Sequence, residues 1–84
     1  MNGDVCAMMT KDIQLTTVER VKDFVNAVSD FDFEVDLISG RYHVNGKSIM
    51  GIFSLDLTRS IQLQAEVPAD QQAAFAQAIE PFSL

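Results

Sequence analysis

Few residues of this chain are of a type that does chemistry, and most of them lack the neighbours that chemistry needs. The only histidine, His43, and the only cysteine, Cys6, stand far apart in the sequence. No Cys-x-x-Cys or His-x-x-x-His spacing accompanies either, so no metal-ligand set is present. Cys6 has no nearby histidine to take its proton, which leaves a thiol nucleophile without activation. His43 lies opposite in phase to Tyr42 and Val44 in a short alternating run, and is expected to face solvent without a partner. Asp32, Glu34 and Asp36 alternate along "FDFEVDL"; they would suit a cation or a basic partner, but the wet face of an open sheet is the favoured reading. There is no glycine-rich phosphate loop. What remains is "NGKSIMGIFSLDL", residues 45–57. Asn45-Gly46 reads as a turn that uses positive φ. Ser48 then precedes Ile49, Ile52 and Phe53, which share one face at helical spacing, so its hydroxyl is placed to cap a short helix. Met50 points off that face. Gly51 costs such a helix about 0.5–1 kcal/mol relative to alanine. A helix used only for packing would need neither residue.

The elements that must position this segment follow from periodicity. Residues 7–15 alternate, with Ala7, Met9, Ile13 and Leu15 on one side and Lys11 as the single interruption, which predicts a strand. Thr16-Thr17-Val18-Glu19 matches a capping box and predicts a helix from Thr16 or Thr17 to about Ser29, with almost no loop before it. Val18, Val21, Phe24, Val25 and Val28 form its buried stripe. "FDFEVDL" predicts a strand with Phe31, Phe33, Val35 and Leu37 inward. Ser39-Gly40 turns into a short strand, Arg41 to Val44, with Tyr42 and Val44 inward. "SIQLQAEV" is a further strand, ended by Pro68. Asp70 to Glu80 is a helix that turns Phe75, Ala78 and Ile79 to the core, with Phe82 beyond the break at Pro81. The expected order is βαββαβα in an α+β, two-layer open-faced sandwich, its mostly antiparallel sheet bare on one side.

Composition bounds what such a domain does. Its 84 residues make one small domain, residues 1–84, and a hydrophobic fraction of 48% is that of a folded chain. A net charge of −6 argues against nucleic acid, which requires cations to neutralise phosphates. No apolar run is long enough to cross a bilayer, and no basic region followed by an apolar core opens the sequence. A single cysteine fits a reducing cytoplasm.

"KSIMGIFSLDL", with "RVKDFV" and "SIQLQAEV" at matching places, resembles HPr, the histidine-containing phosphocarrier of the bacterial sugar phosphotransferase system, in its Gram-positive form. The resemblance implies a four-stranded HPr-like sheet and a non-enzymatic protein without cofactor or metal. In that family a histidine before the first helix carries phosphate, followed closely by arginine and proline. Counting back from "RVKDFV", its place falls near Thr17, with Glu19 and Arg20 after it. Carrier activity by that route is therefore expected to be lost, and a glutamate in the first turn would repel phosphate. The family also has a regulatory serine. The resemblance puts it at Ser48, with Lys47, Ile49, Met50 and Gly51 as partner contacts, an HPr kinase-like enzyme as modifier and a regulatory protein as reader. Lys47 is expected to lend a cation to the modified serine. The cap and the regulatory role are compatible. The expected function is a regulatory interaction domain; the alternative is a phosphocarrier with an unconventional acceptor, and a small oligomerising module without phosphorylation is a third reading.

Overall fold

The structure, a computed structural model, describes residues 7–84 in full and the backbone of Cys6, so the reading of the Cys6 thiol lies outside the described residues. The chain runs β1 (Cys6–Ile13), α1 (Val18–Ser29), β2 (Val35–Ser39), β3 (Tyr42–Asn45), α2 (Ile49–Phe53), β4 (Ile61–Pro68) and α3 (Gln72–Ile79). Short 3-10 turns, Ala69–Gln71 and Glu80–Phe82, flank α3. The four strands form one antiparallel sheet in the order β1-β4-β2-β3, the α+β open-faced arrangement expected. No helix among the described residues is long and apolar enough to cross a membrane.

Alternation divides the sheet into a dry and a wet face. Ile61, Leu63, Ala65 and Val67 of β4 and Val35 and Leu37 of β2 are buried beneath the helices. Val21, Phe24 and Val28 of α1 and Phe75 and Ile79 of α3 close the layer from above. On the wet side the register lines up Thr10, Gln64, Asp36 and Asn45 in one row, and Asp12, Gln62, Ile38 and His43 in the next. Lys11 interrupts the apolar side of β1 at no cost, because β1 is an edge strand and Lys11 stays exposed at the margin of the layer.

Several boundaries differ from the sequence reading, each for a local reason. β1 stops at Ile13; Leu15 is buried as expected but lies in an irregular segment, where the amide of Gln14 donates to Phe82 O at 2.9 Å. β2 begins at Val35, because Phe31 still belongs to the exit from α1, its amide donating to Val28 O at 3.1 Å. Phe31 and Phe33 nevertheless turn inward, their ring centroids 5.2 and 5.0 Å from that of Phe75. Val18 is 55% exposed, not part of the stripe: it is the first residue of α1, and the buried stripe begins one turn later at Val21. Tyr42 is 63% exposed, because β3 is the other edge strand and no helix covers its start.

The two turns expected to need glycine use it differently. Gly40 takes φ +60 in the β2–β3 hairpin, a left-handed value that glycine adopts freely. The Asn45-Gly46 turn has no positive φ. There Asn45 Oδ1 accepts from the amide of Lys47 at 2.8 Å, and Gly46 is small because a Cβ would stand 2.9 Å from Val35 Cγ1.

Candidate functional site: two hydroxyl-capped helix starts

Ser48 does cap α2. Its backbone is extended, its Oγ accepts from the amide of Gly51 at 3.2 Å, and its carbonyl accepts from Ile52 at 3.0 Å. The hydroxyl is on the surface. Two residues on, Met50 is 77% exposed, the highest value among the exposed large hydrophobic side chains described. Ile52 is fully buried and Ile49 half-buried against the core, but Phe53, expected on their face, is 39% exposed. A five-residue helix makes little more than one turn, and Ile52 takes its inward position. A Cβ on Gly51 would lie 3.3 Å from Ser48 Oγ and 3.4 Å from Val44 Cβ, so the glycine already serves packing within the chain. Lys47 is engaged elsewhere: its ammonium donates to the backbone carbonyl of Phe31. The expected cation for a modified Ser48 is therefore committed to holding the turn against the exit of α1.

At the other start, Thr17 stands where the resemblance puts the phosphorylatable histidine. Its side chain accepts from the amide of Arg20 at 3.1 Å and its carbonyl from Val21 at 3.1 Å, so the cap is Thr17, within the span expected. The capping box centred on Thr16 is displaced by one residue. With Thr17 as cap, the position that would return the bond holds Arg20, which has donors only. Arg20 does something the sequence did not announce. Its Nη2 donates to Pro81 O at 2.8 Å, and its guanidinium carbon lies 5.3 Å from the centre of the Phe82 ring. Phe82 in turn meets Phe24 edge-on, centroids 5.4 Å apart. Residues 81–84 are also stitched to β1, by an Ile13–Ser83 bridge and by Leu84 N donating to Asp12 O at 3.1 Å. The available signal was the apolar Phe82 beyond Pro81, which had to find a place to be buried.

His43 is on β3 and exposed, but it is not alone. Its Nε2 lies 3.5 Å from Asp36 Oδ1, a diagonal pair across β2 and β3 on the wet face. An exposed pair of this kind adds little to stability. Asp32, Glu34 and Asp36 do not form one strand face, since only Asp36 lies within β2.

Residues 19–82 match the family model described as "PTS HPr component phosphorylation site". The matched segment contains Ser48 and starts after Thr17. HPr-C-His from Thermoanaerobacter tengcongensis is similar in structure, with a TM-score of 0.69 and 28% identity, covering 89% of this chain and 88% of that one. The phosphocarrier protein HPr from Bacillus anthracis str. Ames is similar at a TM-score of 0.61 and 25% identity, covering 86% of this chain and 96% of that one. No curated protein sequence matches the chain.

Proposed function

The chain belongs to the HPr family, whose members are phosphocarrier proteins and not enzymes, and from that premise we propose that it is a regulatory interaction domain read through phosphorylation of Ser48. The observation that carries the reading is the surface hydroxyl of Ser48 beside Met50, a methionine 77% exposed. A phosphoryl group adds about −1.5 to −2 charge at neutral pH. With Lys47 committed to Phe31 O, that charge is left for a partner to recognise next to a flexible apolar side chain. The partner surface comprises Lys47, Ile49, Met50 and Gly51, a kinase of the HPr kinase type is the modifier, and a regulatory protein in a bacterial cytoplasm is the reader.

Phosphohistidine transfer has no equipment at the α1 start in this reading. Thr17 fills the cap, Glu19 occupies the first turn, and Arg20 is held by Pro81 O and the Phe82 ring. The sole histidine lies on β3.

The test is intact mass after two separate incubations, with HPr kinase and ATP and with enzyme I and phosphoenolpyruvate. The expected result is one phosphate from the kinase, absent in Ser48→Ala, and none from enzyme I. An acid-labile phosphate that disappears in His43→Ala would establish the carrier reading instead. No kinase product, or a product that persists in Ser48→Ala, would leave Ser48 as a cap alone.

A further inference from the structure

A cleft of about 660 Å³ opens between the β2–β3 hairpin turn and the loop that leads into β4. Arg41 and Arg59, two of the six basic residues in this acidic chain, both line it. Neither guanidinium forms an ion pair with a carboxylate among the described residues. Arg20 and Lys47, by contrast, are spent on the carbonyls of Pro81 and Phe31. Ser39 and Ser60 add hydroxyls to the walls, and Tyr42, an exposed residue, adds an aromatic ring. Asp56 is the one carboxylate on the lining. Its Oδ1 accepts from the hydroxyl of Thr58 at 2.6 Å and from the Thr58 amide at 3.1 Å. Those bonds, with a smaller contribution from Arg59, hold its carboxyl below the ordinary range and spend one of its oxygens inside the loop.

We propose that this cleft binds a small phosphate monoester, with the phosphate taken by Arg41 and Arg59 and the organic part laid against Tyr42. Guanidinium groups match phosphate oxygens in charge and in fork geometry. A phosphate monoester is close to a dianion at neutral pH, so it satisfies two cations where a carboxylate satisfies one. The cleft volume is within the range of about 300–1,000 Å³ that holds small molecules. An exposed aromatic wall beside a cation pair favours an ester whose organic part is itself planar and apolar. The proposal is independent of Ser48.

The test is a titration of the unmodified protein followed by backbone amide chemical shifts. Phenyl phosphate, inorganic phosphate and sodium chloride at matched ionic strength are the three probes. Phenyl phosphate is expected to move amides in residues 39–42 and 56–60, and to saturate at lower concentration than inorganic phosphate. Arg41→Ala and Arg59→Ala, both at exposed positions, should each weaken binding about tenfold or more. Tyr42→Ala should remove the preference for the phenyl ester while leaving inorganic phosphate unaffected. Asp56→Asn should tighten both, because the amide oxygen still accepts from Thr58 while the opposing charge is gone. Shifts that chloride reproduces, shifts outside this cleft, or unchanged affinity in the arginine variants would overturn the assignment. So would a phosphoserine peptide that binds more tightly than phenyl phosphate, since the ligand would then be a protein segment.

Discussion

Thr17 accepts from the amide of Arg20 at 3.1 Å and Ser48 from that of Gly51 at 3.2 Å, so two helix starts are closed by the same bond at the same spacing. Around that shared bond everything differs. At α1 the residue donating the amide also sends its guanidinium to Pro81 O, and Phe82, 5% exposed, packs between Arg20 and Phe24. At α2 the residue donating the amide has no side chain, and the nearby large apolar group, Met50, stands in solvent. The first start is sewn into the core by residues from the far end of the sequence. The second is an exposed turn held mainly by Ile52. A capping hydroxyl is thus a local device, and what surrounds it decides whether a second protein can reach it.

The contrast breaks most easily at Phe82. Phe82→Ala removes a buried ring that Phe24 and Arg20 both contact, and should cost about 3–5 kcal/mol. Urea denaturation measures this, and Phe82→Leu should lie between the variant and the wild type. A loss under about 1 kcal/mol would mean that the α1 start is closed by something other than this packing.

Next come the caps themselves. Thr17→Ala should cost about 1 kcal/mol, whereas Thr16→Ala should stay within about 0.5 kcal/mol, because the side chain of Thr17, not Thr16, accepts the cap bond. Ser48→Ala should cost less than Thr17→Ala, about 0.5 kcal/mol, since only a five-residue helix depends on it. Equal losses for Thr16 and Thr17 would restore the capping box with Glu19 as its partner. A Ser48 loss larger than that of Thr17 would reverse the order of the two regions.

The fold was legible because alternation and helical spacing are strong in β4, in residues 35–37 and in α1, where one face must be buried. The failures fall where a residue's side is set by the edge of the layer or by a tertiary neighbour. Tyr42 alternates correctly yet is exposed, because β3 is an edge strand, and edge position is not written in local sequence. Phe31 and Phe33 keep the right side without the strand, as their place is set by Phe75, more than forty positions away. At the candidate site, the Ser48 cap and the exposure of Met50 were readable from spacing alone. The commitments of Lys47 to Phe31 and of Arg20 to Pro81 were not, since each spans a separation that no local pattern encodes.

The smallest stability effect is expected at Met50, and it sharpens the comparison most. Met50→Ser removes an apolar side chain of a size that would cost several kcal/mol in a core. At 77% exposure there is no cavity to create and little apolar surface to return to water, so the change should lie within about 0.5 kcal/mol. Serine also has lower helix propensity than methionine by a few tenths of a kcal/mol, which sets the expected sign as slightly destabilising. The cap bond of Ser48 involves the amide of Gly51 and is untouched by the substitution. On the proposed reading of Ser48, its phosphorylation and the urea midpoint should therefore survive, while binding of the phosphorylated protein to a reader that covers this surface should weaken about tenfold, as for loss of a buried apolar anchor. Equilibrium unfolding separates the outcomes before any partner is known. A loss above about 1 kcal/mol would make Met50 a packing residue like Phe82, and the two helix starts would no longer differ in kind.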